Sequence, residues 1–261
     1  MITLLSPAKK LKSGRQETAL DITQPRLTQD TREIAGVAKK QSAADLRRLM
    51  RISDKLAALN AERFKAFDLD GCSNSATPAG LTFDGDVYWG LEASSMGDEV
   101  LAYAQDHLRI LSGLYGLLRP MDAIQPYRLE MGTKMKNSRG KSLYDFWGSR
   151  IGEMLASDLS GHSDQTIVNL ASNEYFGAVD AKALPAPVIT ASFLNVKDGA
   201  ARQLMYHVKF ARGLMARWIM ENRIESVDDL KDFNAEGYAF DAKASNGTQM
   251  VFSRKQPPVK K

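Results

Sequence analysis

Cysteine is all but missing from this chain. The single one, Cys72, has no partner for an internal disulfide and no companion at zinc-ligand spacing. The three histidines, His107, His162 and His207, are scattered, and none has a second ligand at a metal-binding offset, so neither a metal nor a cofactor is expected. Long apolar runs are missing too. No stretch approaches the ~20 residues of a membrane span, and Met1 to Leu5 runs straight into Ser6-Pro7 and lysines, the wrong order and length for a signal peptide. These absences point to a reducing, cytoplasmic setting with no membrane partner. There is no Gly-x-x-x-x-Gly-Lys loop, no Gly-x-Ser-x-Gly elbow and no His-Glu-x-x-His, which removes the common nucleotide hydrolases and proteases. With no fixed-period repeat, a solenoid is excluded as well.

What is present is enough for a sizeable core: 261 residues, 44% of them hydrophobic. The net charge of +4 is modest, but it is unevenly spread. Lys9, Lys10, Lys12 and Arg15 open the chain without an acid, for +4. Residues 119–141 carry six basic residues against Asp122 and Glu130, again +4, and Arg254, Lys255, Lys260 and Lys261 add a further +4 at the end. The rest of the chain must therefore be acidic. Three basic segments that converge in space would suit a polyanion; three solvated stretches would serve nothing in particular.

The patterning is mixed α and β. Ile2 to Leu5 reads as a buried strand ended by Ser6-Pro7. Thr28 to Phe67 is helical in short pieces, with Ser42 and Ser53 as caps and Asp45 completing a box with Ser42. Gly71 to Gly80 reads as a loop, Leu81 to Trp89 as a strand, and a helix capped by Ser94 or Ser95 as running through Leu111. Ser142 caps a further helix. Gln165 to Leu170 and Val188 to Val196 are strands, and Leu204 to Val208 reads as a strand leading into a helix that ends near Asn222. Gly237 to Asp241 and Thr248 to Arg254 form a hairpin turned near Asn246-Gly247.

Chemistry has four candidate places. In Leu108 to Pro120, Gly113 and Gly116 bracket Leu114 and Tyr115 between apolar segments, the pattern of a helix-hairpin-helix whose free amides grip phosphate, with Arg119 and Arg128 beside it. The same pattern also fits a tight packed turn. Ser6 and Lys9 follow the first strand, where α/β folds gather ligands. Glu174 follows Asn169-Leu170-Ala171-Ser172 at another strand end, as a base, a metal ligand or the acid of a helix's first turn. Lys209 and Arg212 share a helical face and suit a phosphate clamp or a solvated surface.

Read in order, several strings resemble one family across nearly the whole chain. They are Leu5-Ser6-Pro7-Ala8-Lys9, Leu49 to Ala57 with Asn60 and Arg63 beyond, Phe83-Asp84-Gly85-Asp86-Val87-Tyr88, and the run from Leu111 to Gly132. Asn169 to Tyr175 and Ala211-Arg212-Gly213 continue the match. The family they resemble is the YaaA peroxide-stress family. Residues 71–76 and the lysine-rich tail depart from it. The resemblance implies one α/β domain of the family's own type over residues 1–254, with a basic cleft, a helix-hairpin-helix and a flexible basic tail at 255–261. It also implies duplex or junction DNA as a partner bound without sequence preference, protection of DNA, and limitation of free iron under peroxide stress. The DNA-binding residues expected are Lys9, Gly113, Leu114, Tyr115, Gly116, Arg119, Arg128, Lys134, Lys209 and Arg212. The alternative is an enzyme acting on nucleic acid or a nucleotide, with Ser6, Lys9, Asp86, Glu130 and Glu174 gathered at strand ends.

Overall fold

The computed structural model describes every residue except 15, 70–75, 181–183, 185 and 259–261, so Arg15, Cys72, Lys260 and Lys261 lie outside the described residues. The chain opens with β1 (Ile2–Leu5) and β2 (Lys10–Leu11), followed by α1 (Thr28–Lys39), α2 (Ala43–Met50) and α3 (Asp54–Ala66). Next come β3 (Thr77–Pro78), α4 (Ala79–Thr82), β4 (Phe83–Asp84), α5 (Asp86–Leu91) and α6 (Asp98–His107). β5 (Leu108–Ser112), β6 (Gly116–Leu118) and β7 (Ala123–Ile124) lead to α7 (Leu143–Trp147), α8 (Arg150–Leu159), β8 (Ile167–Asn169) and α9 (Asn173–Phe176). The last third holds β9 (Val188–Lys197), β10 (Ala200–Arg202), α10 (Met205–Glu221), β11 (Ala239–Phe240) and β12 (Gln249–Lys255).

Five strands form a parallel run in the order β5-β1-β8-β9-β12. β1 is wholly buried at its centre, which is why Ile2-Thr3-Leu4-Leu5 shows no alternation of apolar and polar residues. Antiparallel β6, β10 and β11 pair with β5, β9 and β12. Numbered along the chain, the parallel strands run 2-1-3-4-5, the order of flavodoxin-type open sheets. Its reversal falls between β1 and β8, and there the connections leave in opposite directions and open a crevice beyond the strands' carboxyl ends. α10 packs against β1 and β9 and against α6.

Local signals set many helix ends. The Ser42–Asp45 and Ser142–Asp145 capping boxes are both formed, and Ser53 caps α3. The hairpin of β11 with β12 is present, and β12 continues through Lys255, with the Gln256 amide donating to the Val196 carbonyl.

Four expectations are overturned. Leu108 to Leu118 is an antiparallel hairpin, β5-β6, and not a helix-hairpin-helix. Both strands are fully buried, so their apolar runs carry no period-two signal. Gly116 takes a positive φ of 71° in the turn, and a Cβ on it would lie 2.7 Å from the Trp147 ring. The Leu114 and Tyr115 amides both donate to Ser112 Oγ, and Trp147 Nε1 donates to the Gly113 carbonyl. Residues 113–116 are buried, and the Leu114 and Tyr115 amides are already taken by Ser112, so this turn does not present a set of free amides to a phosphate. The helix expected to reach Leu111 stops at His107 for the same reason. Leu81 to Trp89 contains parts of α4 and α5 on either side of two-residue β4, and the strand expected at Leu204 to Val208 is instead the start of α10.

Candidate functional site

α5 and α10 cross almost backbone to backbone. A Cβ on Gly90 would fall 2.2 Å from the Phe210 carbonyl oxygen, and one on Gly213 would fall 1.8 Å from that of Val87. Only glycine permits so close a crossing. Its consequence is local chemistry: Asp86 and Trp89 on α5 are set beside Lys209 and Arg212 on α10, with Lys209 Nζ 3.5 Å from Asp86 Oδ2.

These residues wall a crevice of about 510 Å³ at the reversal of strand order. Its floor is made by the two strand ends. The Ser172 amide donates to Ser6 Oγ at 2.9 Å, which ties the loop after β1 to the loop after β8. Tyr88 Oη donates to the Ser6 carbonyl, linking α5 to the same point. Lys9 pairs with Glu130 at 3.0 Å, and Glu130 is also held by Arg128 at 2.8 Å. Glu174 accepts from the Gly132 amide at 3.0 Å. At the rim, Asp84 Oδ1 accepts from Trp89 Nε1 at 2.8 Å while its other oxygen meets Lys10 at 2.7 Å. The hydrogen bonds from Lys10 and Trp89 hold the Asp84 carboxyl below its ordinary pKa.

The crevice is mixed in charge. Lys9, Lys10, Lys209 and Arg212 face Asp84, Asp86 and Glu174, so the basic cleft implied by the resemblance is not shown by this lining. Arg212 differs from the other cations. Its Nε is buried without a hydrogen-bond partner among the described residues, and burial alone pulls its pKa down.

Of the residues expected from sequence, Ser6, Lys9, Asp86, Glu174, Lys209 and Arg212 line this one crevice, and Glu130 joins it through Lys9. Arg128 is engaged with Glu130. Arg119 lies elsewhere, bonded to Asp122, and Lys134 is exposed and outside the lining. Trp89, Asp84, Lys10 and Met205 are site residues that the pattern analysis passed over, although Asp84-Gly85-Asp86 stood in the matching strings.

A larger cavity, about 660 Å³, opens at the amino ends of β1 and β5, beside Met1 and His107. It contains Arg26, Arg109 and Arg119, but the first two share Asp158 and the third is held by Asp122. Burial, then the charges of the chain terminus and His107, holds His162 down at about 4, so its imidazole is neutral. Each arginine here has a carboxylate partner, whereas Arg212 of the crevice makes no ion pair among the described residues, so this cavity is the poorer anion site. Among the described residues no group of three or more His, Cys, Asp or Glu side chains could hold a metal ion, and no helix is long and apolar enough to cross a membrane.

Comparison with known proteins agrees with the resemblance. A UPF0246 protein of Phenylobacterium zucineum is 52% identical over 258 residues, covering 99% of this chain and 96% of that protein. A UPF0246 protein of Caulobacter vibrioides is 51% identical over 257 residues, covering 98% of this chain and all of that protein. One from Idiomarina loihiensis is 49% identical over 254 residues, covering 97% and 98%. The family model described as peroxide stress protein YaaA matches residues 1–244, and the chain therefore belongs to the YaaA peroxide stress family, also called UPF0246.

Proposed function

We propose that this protein acts in the peroxide response by binding nucleic acid through phosphate in the crevice between β1 and β8. The observation that carries the reading is Arg212, a half-buried residue whose Nε is buried without a hydrogen-bond partner among the described residues, facing a crevice that Lys209 and Lys9 also line. A desolvated cation left without a hydrogen-bond partner is costly unless an anion completes it. Phosphate fits, because an arginine fork and two ammonium groups can contact several oxygens at once. Occupancy of the crevice by DNA would shield that DNA during oxidative stress.

Salt dependence of binding to a labelled oligonucleotide tests this. Log affinity is expected to fall linearly with log salt, by about 0.9 per phosphate neutralised on duplex and about 0.7 on single strands. Arg212→Ala and Lys209→Ala should each shallow the slope by roughly one unit. A slope near zero, or one that neither variant changes, would overturn the phosphate reading.

A second reading is favoured by the carboxylates. Asp86 and Glu174 share the crevice with Ser6 and Lys9, and acids beside cations at strand ends are the parts of an enzyme acting on a nucleotide or nucleic acid. Incubation with junction and damaged DNA should then give a product, and Glu174→Gln should abolish it while binding persists.

A further inference from the structure

We infer that an acid-sensitive latch holds the amino end of α10 on β12, with His207 accepting a hydrogen bond from Arg254, and that protonation of His207 releases the part of α10 that walls the crevice. The first observation is the contact itself, Arg254 Nη2 lying 3.1 Å from His207 Nδ1. A guanidinium carries donors and no acceptor, so the imidazole must accept at Nδ1 and is neutral, with its proton on Nε2. Arg254 is in no position to give way. Its side chain is 4% exposed, and its guanidinium lies over the Tyr238 ring at 4.4 Å. Its Nε donates to Asn195 Oδ1 and its Nη1 to the Glu236 carbonyl, both at 3.0 Å. The partner that can move is His207.

The second observation is how little else holds this end of the helix. Leu204 precedes α10 without a side-chain cap, and the first turn carries no acidic residue, so its opening amides lack the usual partners. Met205 is 63% and Tyr206 51% exposed, which leaves His207 and Val208 as the residues of that turn packed inward. Protonation would set a second positive charge against Arg254 at the positive end of the α10 dipole, where a cation is disfavoured. The carboxylate that faces the pair is Glu236, in the turn at Ala235–Gly237, 3.4 Å from Arg254 Nη1 and itself half-exposed. The Tyr206 ring, on the same helix, lies 5.3 Å from the imidazole, and Asp86 on α5 is directed to Lys209 instead. Burial, then the charge of Arg254, lowers the His207 pKa, and Glu236 opposes them less strongly. The latch is therefore fully formed above the ordinary imidazole pKa and is lost as pH falls through the lowered folded value. Its release frees Met205 and Lys209, two residues of the crevice wall.

The test is hydrogen exchange of the full chain across residues 205–209, followed by mass spectrometry from about pH 8 to about pH 5 and corrected for the intrinsic exchange rate. Opening in the wild type is expected to rise as pH falls, by up to about tenfold for each pKa unit by which the freed imidazole exceeds the latched one. His207→Asn puts an amide oxygen where Nδ1 stands and does not titrate, so its exchange should stay flat. His207→Phe removes the acceptor and should leave the turn open at every pH; if circular dichroism shows that this variant does not fold, His207→Asn decides alone. His107 and His162 are present in all three chains, so their titration cancels in the comparison. The same pH dependence in wild type and His207→Asn, or a turn equally protected throughout, would overturn the latch. Affinity for a labelled oligonucleotide is a second readout, and it rests on the phosphate reading above. It should fall with pH more in the wild type than in His207→Asn, and equal falls would sever the latch from the crevice. Binding absent at every pH would sink the phosphate reading and leave the latch to the exchange result.

Discussion

Asp158→Ala is expected to destabilise the protein by about 3–5 kcal/mol, because it strips the counter-charge from two arginines at once. Arg109 lies in β5 with its side chain 5% exposed, and its Nε donates to Asp158 Oδ2 at 2.6 Å. Arg26 approaches the same carboxylate as a fork, with Nη2 donating to Oδ2 at 2.8 Å and Nη1 to Oδ1. Without Asp158, Arg109 keeps hydrogen bonds to the Gln105 and Leu108 carbonyls but has lost its ion-pair partner inside the sheet. A loss of this size should lower Tm by on the order of 10 °C for a chain of this length. Burial pushes the Asp158 carboxyl up, yet the hydrogen bonds and charges of Arg26 and Arg109 outweigh it and hold the folded pKa below the ordinary value. The stabilisation is therefore complete at neutral pH and is lost as pH falls through the folded pKa. Urea melts at pH 7 and at successively more acid pH should show wild type and variant far apart at the first and drawing together as pH falls below the ordinary carboxylate range. A variant melting within 2 °C or so of wild type at pH 7 would mean that the triad contributes little net stability.

What the sequence makes legible is what a few neighbouring residues decide. The Ser42–Asp45 and Ser142–Asp145 boxes need only a hydroxyl and a carboxylate three apart, and both helices start where those residues stand. Ser6, Lys9 and Glu174 are readable as site residues because they follow apolar strands directly, and loops after parallel strands collect function in this class of sheet. The β5-β6 hairpin is hidden by its own burial. With both faces covered, Leu108 to Leu118 loses the alternation that marks a strand, and Gly113 and Gly116 imitate a turn between helices. Their spacing answers to packing instead, since a Cβ on Gly113 would meet the Leu129 carbonyl oxygen at 2.4 Å. The opposite error occurs at α10. Leu204, Tyr206 and Val208 alternate as in a strand, while the helical stripe of Met205, Lys209 and Arg212 is chemically mixed because it faces the crevice and not the core. Trp89 comes beside Lys209 and Arg212 through the crossing of α5 on α10, a contact between residues far apart in sequence that no local pattern encodes.

Gly213→Ala should be the change that couples fold to site most directly. The new Cβ would sit 1.8 Å from the Val87 carbonyl oxygen and 2.7 Å from the Leu91 amide nitrogen, both backbone atoms of α5, so no side-chain rotation relieves the clash. Overpacking of this kind costs about 1–3 kcal/mol and more where backbone must move, and here the upper end or beyond is expected. Moving α5 away from α10 also separates Asp86 and Trp89 from Lys209 and Arg212, so nucleic-acid affinity should fall together with Tm. Arg212→Ala should lower affinity with Tm nearly unchanged, which distinguishes a displaced helix from a lost charge. Gly90→Ala meets the Phe210 carbonyl oxygen at 2.2 Å across the same crossing, and the double variant should cost less than the two single costs added, because helices already parted leave room for the second methyl. Gly36→Ala is the control: it lies within α1 with nothing within 4 Å of its added Cβ. There the methyl removes backbone entropy from the unfolded chain and should stabilise by roughly 0.5–1 kcal/mol. If Gly213→Ala instead melts and binds like wild type, the two helices are not locked by their glycines, and the placement of Trp89 beside Arg212 must depend on other contacts.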